Sequence, residues 1–253
     1  MPVATKHYSD DDAGVVHINV VATAATLVAF PVVTGIVGGV VAVLRSPRPA
    51  VVSGVQHFAA GVVMAAVAGE VLPQLRERGP LWLIVIGFAA GVALLVGMRQ
   101  FEGEDSSDSG LPVSFLVVVA IDLFIDGLLV GTGAAVSTKT AMIIAIALTV
   151  EVLFLCLSVA LRLTGSGVSR LTTVALIGLL TLSVALGAIL GALLLGDAGP
   201  ALLGLVLAFA AAALLWLVVE ELLVEAHETP DRPWMAAMFF VGFLALFCLE
   251  ALG

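Results

Sequence analysis

Long apolar runs, separated by short polar or Gly/Pro-rich breaks, dominate the chain. The runs cover 18–44, 53–75, 80–101, 112–136, 139–163, 170–195, 200–226 and 233–252. A helix needs about 20 apolar residues to cross the hydrocarbon core, and these runs meet that length repeatedly. A barrel strand is shorter and alternates apolar with polar positions; these Ala, Val, Leu and Gly runs do not alternate. The pattern predicts an all-α polytopic membrane protein, a bundle of about eight transmembrane helices. The breaks are turn formers, such as Arg45-Ser-Pro-Arg-Pro49, Gly165-Ser-Gly167 and Gly196-Asp-Ala-Gly-Pro200. They leave no room for a separate soluble domain. Residues 1–253 therefore read as a single transmembrane domain, with a short polar tail over 1–17 and an acidic, serine-rich, flexible loop over 102–111.

Composition agrees with lipid as the solvent. The chain is 61% hydrophobic and 11% charged, with a mean hydropathy of +1.21, whereas a soluble domain carries roughly a quarter charged residues. Net charge is −9, and no basic stripe exists, which excludes nucleic acid as a partner. The N-terminal stretch MPVATKHYSDDDAG lacks the basic start of a cleaved signal peptide, so the first run is expected to stay as a helix. Cys156 and Cys248 fall inside apolar runs and read as small hydrophobes. Alternate connections carry Arg45, Arg48, Arg99, Arg162, Arg170 and Arg232, against Arg76, Arg78, Lys139 and the tail's Lys6. This bias predicts both termini on the outer side of a cell (plasma or inner) membrane. Gly35, Gly38 and Gly39 in the first run, and Gly187 and Gly191 in the sixth, predict close helix packing.

The candidate chemistry lies in acids where lipid-facing residues are expected. A carboxylate at the centre of a spanning helix costs roughly 2.5–3.5 kcal/mol on insertion scales. Asp122, Asp126 and Glu151 occupy the middle thirds of their runs. Asp122 and Asp126 are spaced to share one helix face. Glu151 comes from the next run, which the short Ser-Thr-Lys-Thr turn makes an antiparallel neighbour. Three converging carboxylates need a counter-charge, and no Lys or Arg lies in the middle of the runs, where these acids stand. A metal ion, protons or both must supply it. Glu70 in the second run, and Glu220, Glu221 and Glu225 ahead of His227 in the seventh, read as pathway or accessory metal residues. His57 stands near the start of the second run, and Glu250 near the end of the last.

Four stretches together resemble the ZIP (Zrt/Irt-like) family of divalent metal transporters. The second run reads His57-Phe-Ala-Ala-Gly-Val-Val-Met64 and ends Glu70-Val-Leu-Pro73. The fourth has Asp122-Leu-Phe-Ile-Asp126-Gly127 where the family carries HNxPEG. The seventh contains Glu220-Glu-Leu-Leu-Val-Glu-Ala-His227, and the last ends Gly242-Phe-Leu-Ala-Leu-Phe-Cys-Leu-Glu-Ala-Leu-Gly253. The resemblance implies metal ligands at Asp122, Asp126 and Glu151, with Thr181 at a further family carboxylate position. It also implies a divalent metal ion as substrate, no cofactor and a homodimer. Leu123 and Ile125 replace the motif Asn and Pro, and Ala147 and Leu148 stand where polar ligands are usual. One carboxylate site thus survives, while the ligands of an adjacent metal site are expected to be lost. An all-oxygen set suits harder ions such as manganese, magnesium or calcium. Without the motif prolines, the fourth and fifth helices are expected to be straighter.

The function expected on these grounds is a permease moving divalent cations by alternating access. The alternative is a ZIP-derived protein that does not transport metal: a proton-coupled carrier of another solute, or a sensor or structural membrane protein. An enzyme is not expected. A membrane aspartyl protease would place its acids on two helices with one in GxGD, which is absent, and His7, His17, His57 and His227 all lie at or outside the ends of the runs.

Overall fold

The computed structural model describes residues 10–45, 47–101, 112–230 and 232–252. The acidic loop 102–111 and the first part of the polar tail, 1–9, lie outside the described residues. Among those described, eight helices are long and apolar enough to cross a membrane, and no strand occurs. They are α1 (Asp10–Leu44), α2 (Pro49–Arg78), α3 (Leu81–Phe101), α4 (Val113–Val136), α5 (Thr138–Gly165), α6 (Arg170–Leu195), α7 (Pro200–His227) and α8 (Pro233–Leu252). Helix α1 begins at Asp10, inside the stretch expected as tail.

Local chemistry sets the helix ends. Pro49, Pro200 and Pro233 open α2, α7 and α8, where a missing N–H costs nothing. Ser137 caps α5 by accepting from Thr140 N at 3.0 Å, and Ser169 caps α6 by accepting from Thr172 N at 3.2 Å. Gly167 closes the α5–α6 turn at φ +84°, a conformation that side chains with a Cβ rarely adopt. A single residue, Ser137, separates α4 from α5, so the two helices run antiparallel. Both run without interruption, in keeping with the loss of the motif prolines.

The helices pack in two groups. Helices α1, α4, α5 and α6 pack on one another, with α4 against α6 and α1 against α5 most closely joined. Helices α2 and α8 form one further pair, and α3 and α7 another; α2 then contacts both α5 and α7. Small residues allow these approaches. Gly127 and Gly131 of α4 lie against the backbone of α6 at Val184 and Ala188, while Gly187 and Gly191 of α6 lie against Phe124 and Leu128 of α4. Each helix thus offers a small-xxx-small ridge to the other.

Among the described residues, two helices depart from α geometry. A π-helical turn spans Val67–Val71 in α2, and a second spans Leu217–Leu222 in α7. Such single wide turns recur at functional sites. Here the first contains Glu70, and the second Glu220 and Glu221.

Candidate metal centre

Depth along two antiparallel helices brings the central acids together. At roughly 1.5 Å per residue, Asp122 and Asp126 stand about 22 and 16 Å along α4 from Ser137, and Glu151 about 21 Å along α5. The acid on α5 therefore meets the pair on α4 at the same level. One carboxylate oxygen from each of Asp122, Asp126 and Glu151 lies within 4.8 Å of the other two. Asp126 is 3% exposed and Glu151 is fully buried, whereas Asp122 is half-buried. No hydrogen-bond partner reaches Asp126 Oδ2 or either oxygen of Glu151. Buried carboxylate oxygens without donors are costly unless a cation or a proton joins them. Ala147 and Leu148, a turn before Glu151, are buried and apolar, so that side of α5 adds no further ligand.

A cavity of about 710 Å³ connects this centre with one end of the bundle. Its wall includes Asp122 at the inner end and Pro47, Arg162, Glu228 and Thr229 at the outer end. Glu220, Glu221 and Glu225 of α7 line it between. Helix α5 lines the cavity with Leu155, Ser158, Val159, Leu161 and Arg162, and Glu151 continues the row of Leu155, Ser158 and Arg162 inward at i, i+4, i+7 spacing. The acids expected as pathway residues on α7 thus share one cavity with Asp122.

Glu225 ties three helices at this cavity. Its Oε2 accepts from Gln56 Nε2 of α2 at 2.6 Å and from Ser158 Oγ of α5 at 2.9 Å. Arg162 lies over the Phe115 ring at 3.9 Å, a cation–π contact at the cavity's rim. Nothing in the sequence pattern points to Gln56. Ser158 and Arg162 do carry a signal, since both lie on the helical row that runs from Glu151.

The remaining candidates sort by position. Glu70 is buried near the opposite end of the bundle, where its Oε1 accepts from Thr140 Oγ1 at 2.5 Å and Gln74 Nε2 lies 3.5 Å away. Glu250 Oε2 sits beside Gly69 at that same end, buried without a hydrogen-bond partner. Thr181 on α6 is fully buried, but its hydroxyl donates to Gly178 O of its own helix at 3.0 Å and its methyl group faces Gly35 of α1. His57 is buried and packs its ring against that of His227. Thr140→Val should destabilise the protein by about 1–3 kcal/mol, the cost of stripping a buried acceptor of its donor. Thermal unfolding in detergent reads this directly; an unchanged midpoint would mean that water replaces the hydroxyl.

A family model described as ZIP Zinc transporter matches residues 103–251, more than half of the chain. The chain belongs to the ZIP zinc transporter family. No curated protein matches it. The family's members are transporters of metal ions, which agrees with the expectation of a membrane-embedded metal carrier. The match spans α4 to α8 and so includes all three central acids and the three acids of α7. Among the described residues, this centre holds carboxylates alone.

Proposed function

We propose that the protein is a ZIP permease in which Asp122, Asp126 and Glu151 bind a divalent cation between α4 and α5. The observation that carries this reading is the pair of buried acids, Asp126 and Glu151, whose donor-free oxygens lie beside Asp122 at the inner end of a cavity. The cation is cargo: it enters the carboxylate cluster, supplies the missing counter-charge and leaves along the acids of α7. All-oxygen ligation favours a hard ion, with manganese the first candidate. The cavity opens at the end bearing the arginine-rich connections, so under the positive-inside rule it faces the cytoplasm and the termini lie outside. Glu70, at the other end, belongs to the outer access route. Alternating access would move α1, α4, α5 and α6 as one group against the rest. We assign the protein to the plasma or inner membrane, as a homodimer.

Protein reconstituted in vesicles and tested with manganese, zinc, iron and cadmium decides the matter. Saturable, acid-dependent flux of at least one ion is expected, with manganese ahead of zinc. Absence of flux for every ion would instead favour the non-transporting alternative, for which the loss of the family's imidazole and amide ligands at Asp122 and Leu123 is the specific support.

A further inference from the structure

We propose that His57 and His227 form a second cation site, separate from the carboxylate centre and suited to a borderline transition ion such as zinc or copper. Antiparallel packing of α2 on α7 brings the two rings together, with centroids 5.2 Å apart and planes tilted by 55°. That tilt is not a stacked pair. Two imidazoles bound to one tetrahedral ion at metal–nitrogen distances of about 2.0–2.1 Å have ring centroids roughly 5 Å apart, so the observed spacing leaves room for one shared ion once the two Nε2 atoms face it.

The backbone sets the same tautomer in both rings. His57 Nδ1 lies 2.9 Å from Ser53 O, and His227 Nδ1 lies 2.5 Å from Leu223 O. A carbonyl oxygen only accepts, so Nδ1 is the donor in each ring, and the neutral imidazole held this way presents its lone pair at Nε2. Metal-binding histidines are commonly held this way, with the second nitrogen donating to a carbonyl. The anchors are firm. Ser53, whose carbonyl orients His57, also donates through Oγ to Ala226 O at 2.8 Å, which fixes the end of α7 against α2. His57 is 4% exposed while His227 is exposed, so the pair has a buried ligand and a solvent-reached one.

Ligand chemistry separates the two sites: nitrogen here, oxygen only at Asp122, Asp126 and Glu151. The histidine site does not rest on the transport reading, and its test is independent of flux. Cu²⁺ is added to the purified full chain in detergent, with His7 and His17 both replaced by Gln, and paramagnetic resonance spectra are recorded. A spectrum with coupling to two nitrogens is expected at one equivalent of copper, with zinc competing for the site. His227→Gln should remove at least one nitrogen and weaken copper binding by about tenfold or more, the lower end of what lost supporting groups cost metal sites. Asp126→Asn should leave the nitrogen coupling unchanged. A nitrogen-free spectrum, or one unaltered by His227→Gln, would overturn the proposal. Because His227 is exposed at a helix end, this variant is expected to fold even where His57→Gln does not.

Discussion

Asp126→Asn and Glu151→Gln are each expected to lower divalent-cation flux by at least about 100-fold, since even outer groups around a metal cost 10–100-fold when removed. Both replacements keep side-chain shape and remove one anionic ligand from a cluster of three. The same variants should affect folding with the opposite sign. Asp126 Oδ2 and the two Glu151 oxygens are buried without donors, so the ion-free protein loses an unfavourable group when either is neutralised. Ion-free Glu151→Gln should therefore melt at or above the wild-type temperature. Added manganese should stabilise wild type, by about 2.7 kcal/mol at a hundred times the dissociation constant, and leave the variant unmoved. Thermal unfolding with and without the ion, run beside vesicle flux, separates the two effects. Flux within threefold of wild type would remove these acids from the transport path.

The second large effect concerns the α4–α6 contact. A Cβ on Gly127 would meet Val184 O of α6, and one on Gly187 would meet Phe124 O of α4, so neither clash is with a side chain that could turn aside. Overpacking a core ordinarily costs about 1–3 kcal/mol; where backbone meets backbone, the helices must part, and the cost should exceed that range. Gly127→Leu and Gly187→Leu should each abolish a monodisperse folded protein in detergent. A Cβ on Gly178 of the same α6 would meet nothing within 4 Å, so Gly178→Ala should be neutral or stabilising by up to about 1 kcal/mol through helix propensity. A tolerated Gly187→Leu would show that the two helices are not locked to each other.

The spans were legible because lipid imposes length and hydropathy together, and each expected run lies within one observed helix or nearly so. The central triad was legible for a different reason. Asp122 and Asp126 share a face by spacing alone, and a connection as short as Ser137 makes α4 an antiparallel neighbour that meets Glu151 at the same depth. Partner choice between distant helices was not legible. Gly127 and Gly131 carry the spacing of a packing ridge, but nothing in the sequence says that α6 supplies the matching one. The position of His57 in its run is that of an interfacial residue, yet it is buried, because Ser53 anchors the end of α7 over the start of α2. The wide turns at Glu70 and Glu221 left no sequence sign of their own, since a π turn changes hydrogen bonding without requiring Gly or Pro.

Those two turns have a further consequence for symmetry. Phe58-Ala-Ala and Phe209-Ala-Ala open matching stretches, and Glu70 follows Phe58 by the same interval at which Glu221 follows Phe209. The helices run in opposite directions, for Ser53 near the start of α2 bonds Ala226 near the end of α7, while Arg78 at the end of α2 meets Gly204 near the start of α7. The same acid-bearing device is therefore mounted twice, once upright and once inverted. Each end of the bundle thus carries a carboxylate on a widened turn, and on the transport route proposed above an ion approaching from either side would meet one.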